Sequence, residues 1–222
     1  MRAPPLLQCH NLSCRRPLWR HGASRIHRIN ASFEEGRFYA IGGAAGCGKN
    51  LLLHLLGLLE IPDEGSVLLQ NDNTTALTEF ERDALRQRHY GFLFPTTALL
   101  PSLSVLENIA FVVLKANAYD EAQQAELTLA ALQFCELENE AEHPVSKLNL
   151  ERQAVTAFAR AIAHRPKILI AESPSEETVL LPLVQRAINK LSITVIWGTD
   201  EGSPAYRAAD CVLSMQNGHL IS

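Results

Sequence analysis

The sequence contains little that would build a disulfide framework or a metal centre. Its cysteines are odd in number and show neither a C-x-x-C pair nor metal-ligand spacing, and its eight histidines show no ligand spacing either. The cysteines are Cys9, Cys14, Cys47, Cys135 and Cys211. A scattered, odd set of this kind is typical of reduced thiols in a reducing compartment. We therefore predict no disulfide bond and no metal site formed by these side chains.

The sequence also lacks a long hydrophobic run and an excess of basic charge. Its most apolar segment, residues 51–61, is about half the ~20 residues that a membrane-spanning helix requires, and His54 interrupts it. The first eight residues lack the apolar core of a signal peptide. The formal net charge of −4 argues against nucleic acid as the main partner. We expect a soluble protein whose association with a membrane would depend on a partner.

Short apolar runs alternate with helical patterns along a chain that can bury a full core, since 47% of its 222 residues are hydrophobic. Residues 5–40 predict short antiparallel strands around a polar turn at 20–24. Other predicted strands are 66–70, 90–94, 167–171 and 193–197, and predicted helices are 51–60, 78–89, 102–114, 120–137 and 149–163. Thr78 and Glu81 form a candidate capping box. This order predicts an α/β fold with a mostly parallel sheet and a helical insert at 94–165.

A glycine-rich segment follows the apolar run at 38–41 and leads into an apolar helix. Within it, Gly43, Gly48 and Lys49 fit the pattern G-x-x-x-x-G-K, in which backbone N–H groups enclose a phosphate. The glycines let the backbone close around an anion, the helix N-terminus adds a positive dipole and the lysine supplies a cation. The predicted phosphate-contacting residues are Gly43, Ala44, Ala45, Gly46, Cys47, Gly48, Lys49, Asn50 and Leu51.

One position departs from the phosphate-loop pattern. Asn50 stands where a Ser or Thr hydroxyl would hold Mg²⁺, and Leu51 follows it. An amide oxygen can contact Mg²⁺, but it is a poorer ligand than a hydroxyl in that geometry. The sequence therefore predicts a phosphate cradle with a weakened magnesium clamp.

Further segments extend the pattern over essentially the whole chain; they are residues 55–65, 85–94, 99–108, 159–167 and 217–221. Together with the phosphate loop they resemble the nucleotide-binding domain of ABC transporters, of the lipoprotein-release and macrolide-export type (LolD- and MacB-like). The resemblance implies one ABC-type nucleotide-binding domain over residues 1–222. It implies a P-loop NTPase-type α/β fold: a mostly parallel sheet, an N-terminal antiparallel β layer and an inserted helical subdomain at 94–165.

The same resemblance implies ATP and Mg²⁺ as cofactors, with their binding weakened by the substitutions described below. It implies two partners: an integral membrane permease of the ABC type, and a second nucleotide-binding domain in a homodimer or a heterodimer. The implied location is cytoplasmic, peripheral at the inner face of the cell membrane. The apolar stretch at 98–106 resembles the surface that receives a permease, although its leucines also suit the core of the helical subdomain.

Several positions depart from the residues that hydrolysis requires in this family. Arg16 stands at the slot of the aromatic residue that stacks on adenine, where a guanidinium can still stack. Pro95 replaces the Gln that contacts Mg²⁺ and the attacking water, and it has no side-chain donor or acceptor. The signature Leu-Ser-Gly-Gly-Gln reads Leu-Asn-Leu-Glu-Arg at residues 148–152, so Leu150 and Glu151 replace both glycines.

The acidic pair that ends the second buried strand is altered as well. Pro174 sets the register, so Glu172 stands at the slot of the metal-binding Asp and Ser173 at that of the catalytic Glu. Val179 falls near the slot of the aspartate at the dimer seam, and Asp200 replaces the His that senses the γ-phosphate. No catalytic residue is left intact; the degenerate slots are Pro95, Glu172, Ser173 and Asp200.

The substitutions together predict loss of ATP hydrolysis. A carboxylate about 4 Å from one phosphate charge costs on the order of 4 kcal/mol at an effective dielectric of 20, and Asp200 and Glu151 each add a carboxylate. A serine hydroxyl cannot polarise water as a carboxylate does, and loss of a general base alone costs ~10²–10⁴ in rate. We interpret the chain as a pseudo-ATPase that serves as the structural or regulatory partner of a permease.

Two alternatives remain open on the sequence. One is a slow but active transport ATPase that uses Glu172 as its base, with the metal held by Asn50 and water. The other is a soluble regulator that has the same fold and takes no part in transport.

Overall fold

Ten strands and seven α-helices form the part of the chain that the structure, a computed structural model, describes: residues 4–15, 25–95, 97–116 and 118–221. The strands are β1 (Leu7–Cys14), β2 (Ile26–Phe33), β3 (Phe38–Gly42), β4 (Glu64–Leu69), β5 (Asp72–Asn73), β6 (Tyr90–Leu93), β7 (Ile168–Glu172), β8 (Thr194–Thr199), β9 (Cys211–Gln216) and β10 (His219–Ile221). The helices are α1 (Lys49–Leu56), α2 (Glu79–His89), α3 (Val105–Lys115), α4 (Glu121–Phe134), α5 (Leu150–Ile162), α6 (Glu177–Leu191) and α7 (Pro204–Ala208). Single 3-10 turns cover Glu138–Glu140 and Val145–Lys147.

The central sheet contains six strands in the order β10-β9-β3-β8-β7-β6. Strands β3, β7 and β8 are buried along their whole length, as expected for strands with helices or a second sheet on both faces. Strand β3 pairs in parallel with β8 and β9, and β7 pairs in parallel with β6 and β8. Strand β10 runs antiparallel to β9 at one edge. The prediction of a mostly parallel sheet is confirmed.

The register of the central sheet brings three strand ends together. Gly42 pairs with Thr199, and Glu172 pairs with Gly198. Because parallel strands present their carboxyl ends at the same edge, the loops that follow β3, β7 and β8 leave the sheet side by side. The candidate site lies at this edge.

Strands β1, β2, β4 and β5 form a second, antiparallel sheet in the order β2-β1-β4-β5. Gly65 has a φ of +85°, and a Cβ at this position would lie 2.4 Å from the carbonyl oxygen of His10. Glycine is therefore required for β4 to approach β1 this closely. The predicted antiparallel layer is confirmed, while the predicted turn at 20–24 lies outside the described residues.

Two apolar cores cover the two faces of the central sheet. Val195 and Trp197 belong to one core and Ile196 to the other, because successive side chains of a strand point to opposite faces. One core packs the antiparallel sheet and α1 against the sheet, and the second packs α3 to α6 against it. The site edge is therefore held from both sides by packed helices.

Helix ends follow local capping hydrogen bonds, from side chains or from the backbone, more closely than the apolar pattern. Helix α1 ends at Leu56 and not at position 60, because the chain turns at Gly57, whose N–H bonds to the carbonyl oxygens of the last turn. Helix α3 begins at Val105 and not at position 102. Ser104 accepts a hydrogen bond from the Glu107 N–H, and the Glu107 carboxylate accepts one from the Ser104 N–H. Both predicted bounds are wrong for this reason.

The other predicted elements differ less from the observed ones. The capping box of α2 is confirmed, since the Thr78 hydroxyl accepts from the Glu81 N–H and the Glu81 carboxylate accepts from the Thr78 N–H. Helix α4 ends at Phe134, three residues before the predicted end at 137. Helix α5 and strands β7 and β8 begin and end within a few residues of their predicted bounds.

The helical segment between β6 and β7 contains α3, α4 and α5, which pack on one another. The buried Asn108 amide fixes the start of this segment, because it accepts from the Leu100 N–H and donates to the carbonyl oxygens of Leu100 and Ser104. Helix α5 also packs on β6 and α6. The division of residues 1–222 into one domain with a helical subdomain at 94–165 stays a prediction. Within the described ranges, no helix combines the length and apolarity that a bilayer crossing requires.

Candidate functional site

The loop between β3 and α1 follows a path that its glycines permit. Gly43, Gly46 and Gly48 have φ values of +152°, +80° and +105°, a region that L side chains rarely adopt. A Cβ on Gly43 would lie 2.4 Å from the carbonyl oxygen of Met215 in β9. The close approach of the loop to β9 therefore depends on a glycine at this position.

The tip of this loop is open to solvent and its base is anchored. Ala44 and Ala45 are exposed, whereas Cys47 is buried: its N–H donates to the Ala44 carbonyl and its carbonyl accepts from the Gly218 N–H at 2.8 Å. Gly48 precedes α1 without a side-chain cap, so the N–H groups of the first helical turn have no acceptor within the helix. An open tip and an uncapped helix N-terminus are the backbone features that bind anions.

Lys49 and Asp200 form an ion pair at the base of the loop. The Lys49 Nζ donates to the Gly43 carbonyl oxygen at 2.6 Å and to the Asp200 Oδ1 at 3.1 Å. The lysine side chain is 9% exposed and that of Asp200 is 82% exposed. The register explains the contact, because Asp200 follows Thr199, the partner of Gly42 in the sheet. The cation that would meet a phosphate therefore already has a carboxylate partner.

Asn50, Glu172 and His54 form a cluster between α1 and the end of β7, which we call the amide–carboxylate–imidazole cluster. The Asn50 Nδ2 donates to the Glu172 Oε1 at 2.6 Å, and the His54 Nε2 lies 2.8 Å from the Glu172 Oε2. Because an ionised carboxylate only accepts, the imidazole donates through Nε2. Glu172 is 8% exposed. Both of its oxygens therefore face nitrogen donors.

The oxygen of the Asn50 side-chain amide lacks a hydrogen bond. Its Oδ1 is buried and has no hydrogen-bond partner within the described residues. An unpaired buried acceptor costs free energy comparable to a lost hydrogen bond. The strong, short bond of Nδ2 to the Glu172 carboxylate offsets that cost and fixes the orientation of the amide.

Ser173 hydrogen-bonds to the backbone of β8. Its N–H donates to the Gly198 carbonyl oxygen at 2.9 Å and its hydroxyl donates to the same oxygen at 3.0 Å. Its φ of +38° is uncommon for a residue with a side chain. The hydroxyl proton is thus directed at a main-chain carbonyl.

The residues at 148–152 lie at the start of α5. The Asn149 side chain caps the helix by accepting from the Arg152 N–H at 2.8 Å. Leu150 is 69% exposed, and Glu151 is exposed beside it. The Arg152 guanidinium turns into the helical segment, where it donates to the Glu136 carbonyl and to the Glu140 carboxylate. The cap oxygen and a large apolar side chain therefore occupy the N-terminus of α5.

The comparisons with known proteins decide the family. A family model described as ABC transporter matches residues 26–176. The chain belongs to the ABC transporter family. The earlier resemblance is thereby confirmed.

Three relatives in the ABC family are 29% to 36% identical to this chain over the aligned residues. An uncharacterised ABC transporter ATP-binding protein of Methanocaldococcus jannaschii is 29% identical over 201 residues, which are 88% of this chain and 89% of that protein. The macrolide export ATP-binding/permease protein MacB of Burkholderia pseudomallei is 30% identical over 222 residues, which are 98% of this chain and 34% of that protein. The chain thus spans about a third of the length of MacB.

Two further comparisons support the same family and fold. The lipoprotein-releasing system ATP-binding protein LolD of Paramagnetospirillum magneticum is 36% identical over 146 residues, which are 66% of this chain and 64% of that protein. A dimeric ATP-binding cassette solved in a post-hydrolysis state with ADP and Pi has a TM-score of 0.83 at 25% identity, over 97% of both chains. The predicted α/β fold is confirmed.

The candidate site of this ABC-family chain fits a phosphate but not the magnesium ion that the family implies. The loop offers backbone N–H donors and the Lys49 ammonium, which suit an anion. Mg²⁺ requires oxygen ligands in near-octahedral geometry. At its predicted position the Asn50 Nδ2 points a donor at Glu172, and the Asn50 oxygen is buried.

The structure brings some of the predicted site residues together and leaves others apart or untested. Lys49 contacts Asp200, and Asn50 contacts Glu172. Ser173 follows Glu172, and its backbone and side chain bond to β8. Pro95 is exposed after β6, Val179 lies half-buried in α6, and Arg16 lies outside the described residues. The roles of all these residues stay predictions.

Sequence reasoning missed His54, which it treated only as a polar residue in an apolar run. His54 follows Asn50 by four residues, so both project from one face of α1. That spacing was a usable signal, but the common partner Glu172 is 118 residues beyond His54 in the chain. Glu177 was missed too; its carboxylate accepts from the Thr199 hydroxyl at 2.9 Å, next to Asp200.

Proposed function

We propose that this chain is an ATP-binding-type subunit of an ABC transporter complex that has lost ATP hydrolysis. It would act as the structural or regulatory partner of a MacB- or LolD-like membrane permease. Its phosphate loop would still receive a nucleotide, but weakly. Family membership supports the coarse statement, and the geometry of the altered positions supports the finer one.

The observation that carries the proposal is the state of Ser173. This residue stands at the slot where the family has its catalytic carboxylate, and a hydroxyl is not a base at neutral pH. In the structure its proton is directed at the Gly198 carbonyl. The loss of a general base costs ~10²–10⁴ in rate, before any other substitution is counted.

Glu172 offers little as a replacement base. A general base must place an oxygen within hydrogen-bond reach of the proton that it takes. Both oxygens of the Glu172 carboxylate already accept from Asn50 and His54 in a buried setting. This geometry disfavours the slow ATPase that uses Glu172.

The Lys49–Asp200 pair supports weak nucleotide binding. A phosphate that reaches the Lys49 ammonium must displace the Asp200 carboxylate or lie next to it. Since both are anions, each weakens the attraction of the other to the lysine. The proposed site is therefore one that a nucleotide enters in competition with a side chain of the protein.

Exposed apolar side chains in and after the segment at 98–106 support docking on a membrane protein. Leu100 lies in this segment and Phe111 and Leu114 lie in α3, and all three expose much of their side chains. The proposal takes these side chains as the docking surface. The Arg160 guanidinium donates to the carbonyl oxygens of Thr97 and Ala98 and fixes the start of the segment. In the proposal a permease covers this surface at the cytoplasmic face of the membrane, and a second nucleotide-binding domain completes the assembly.

ATPase assays of the purified chain, alone and with the permease that co-purifies from detergent extract, test the proposal. We expect rates indistinguishable from those of Lys49→Ala, with an active MacB assayed in parallel as the positive control. Clear turnover that Lys49→Ala abolishes would contradict the proposal, and further loss in Glu172→Gln would favour the slow ATPase. Recovery of no membrane protein from the extract would favour the soluble regulator.

A further inference from the structure

The amide–carboxylate–imidazole cluster contains Asn50 and Glu172, the two residues that stand at the slots which the family resemblance assigns to Mg²⁺. Asn50 directly follows the phosphate-loop lysine, and Glu172 ends β7 at the same edge of the sheet. Their side chains are joined by a hydrogen bond of 2.6 Å, and His54 closes the cluster from the next turn of α1. The three side chains are therefore joined directly to one another by hydrogen bonds.

The donor set of the cluster is unfavourable for Mg²⁺. This ion dehydrates reluctantly and takes oxygen ligands at about 2.0–2.1 Å. The group that Asn50 directs at Glu172 is an N–H donor, and the amide oxygen is buried. An ion beside Glu172 would therefore meet the positive end of an amide dipole, and His54 directs a second N–H at the same carboxylate.

Neither of the two other altered slots, Pro95 and Ser173, supplies a replacement ligand. Pro95 has no side-chain oxygen, and the Ser173 hydroxyl is engaged with the Gly198 carbonyl. Because Asn50 and His54 each direct an N–H at Glu172, an ion that reaches this carboxylate must lie beside these two donors or displace one of them. Displacing Asn50 would leave its side-chain amide with neither polar atom paired, since its oxygen already has no partner. Leaving buried polar groups unsatisfied is costly, so the cluster as it stands competes against the metal.

We propose that the phosphate loop binds nucleotide without Mg²⁺, and that the side-chain amide of Asn50 makes this binding independent of the metal. The inference rests on the proposed function, in which the loop still receives a nucleotide. Backbone N–H groups and Lys49 hold the phosphates. The carboxylate that serves a metal elsewhere in the family instead accepts hydrogen bonds from Asn50 and His54.

Isothermal calorimetry with ATP tests the inference, once in excess Mg²⁺ and once in EDTA. For the unmodified chain we expect Kd values that agree within roughly threefold, or tighter binding in EDTA. Asn50→Ser restores the hydroxyl, and we expect it to bind ATP at least about tenfold more tightly with Mg²⁺ than without. Asn189→Ser, a change of the same type at an exposed site in α6, serves as the matched control and should behave like the unmodified chain.

Each other outcome overturns the inference. Binding of the unmodified chain that needs Mg²⁺ refutes it directly, and this measurement requires no variant to fold. Absence of ATP binding in both buffers refutes it as well. Metal-independent binding by a folded Asn50→Ser would show that Asn50 is not the determinant. None of these results depends on turnover. Absence of ATP binding would also contradict the weak nucleotide binding in the proposed function, whereas the loss of hydrolysis is tested separately by the ATPase rates.

Discussion

Asp200 is the residue whose charge bears most directly on the phosphate loop. Its Oδ1 lies 3.1 Å from the Lys49 Nζ, although the carboxylate itself is largely exposed. Water and salt screen an exposed pair, so the pair adds little to stability. A bound triphosphate would place several further negative charges beside Asp200, and their mutual repulsion makes the residue matter more for binding than for folding.

We therefore expect Asp200→Asn to tighten ATP binding by roughly three- to tenfold at low ionic strength, with the gain shrinking as salt is added. The amide keeps the size of the side chain and removes its charge. Calorimetry at two salt concentrations measures the effect. Asp72→Asn, on β5 in the other sheet, changes the net charge equally and should leave the affinity unaltered. Equal affinities for Asp200→Asn and the unmodified chain would show that the pair does not oppose phosphate binding.

The start of α3 shows how capping hydrogen bonds decide where a helix begins. The apolar pattern places the start at 102, whereas the reciprocal bonds of Ser104 and Glu107 place it at Val105. Residues 101–103 instead form a turn, whose carbonyl at 103 accepts from the buried Asn108 amide. The cap, and not the apolar spacing, sets the helix boundary.

Replacing the capping residue Ser104 should lower the free energy of unfolding more than replacing the nearby Ser102. We expect Ser104→Ala to lower the free energy of unfolding by about 1 kcal/mol, because an N–H at the start of α3 loses its acceptor. Urea titration with fixed m-value measures the change. Ser102→Ala removes an exposed hydroxyl at the predicted start and should cost much less. A larger loss in Ser102→Ala would favour the start at 102.

Strands and helix caps could be predicted from local sequence patterns, whereas contacts between residues distant in the chain could not. Buried strands such as β7 and β8 carry continuous apolar runs that can be read locally, and so can the Thr78 capping box. The bond of His54 to Glu172 joins residues 118 positions apart and depends on the packing of α1 against β7. No local pattern encodes such a contact. Candidate site residues could be named from the sequence and stay predictions, but the contacts among their side chains could not be predicted.

At the scale of the whole molecule, two histidines lie at or just after the ends of α2 and α5, the helices that pack on β6. His89 ends α2 beside β6, and burial lowers its pKa to about 4, with the nearby charges of Lys167 and Arg88 acting in the same direction. His164 follows α5, and its ring bonds to the carbonyl oxygen of Tyr90 in β6. Burial also lowers the pKa of His164, although that hydrogen bond opposes the shift. Both imidazoles are therefore neutral in the folded protein at neutral pH.

Because the pKa values of these histidines are lower in the folded than in the unfolded chain, the stability of the fold decreases as the pH falls. The unfolded chain takes up protons at these histidines near pH 6.5, while the folded chain takes one up at His89 only near pH 4. The stability that the neutral rings contribute is complete above about pH 6.5 and is lost as the pH falls from there towards about 4. We expect the Tm to fall over this interval, and His89→Gln to reduce the slope by up to one proton. Exposed His143→Gln is the control. An acid-side slope that is the same in His89→Gln and the unmodified chain would show that the acid sensitivity comes from other groups.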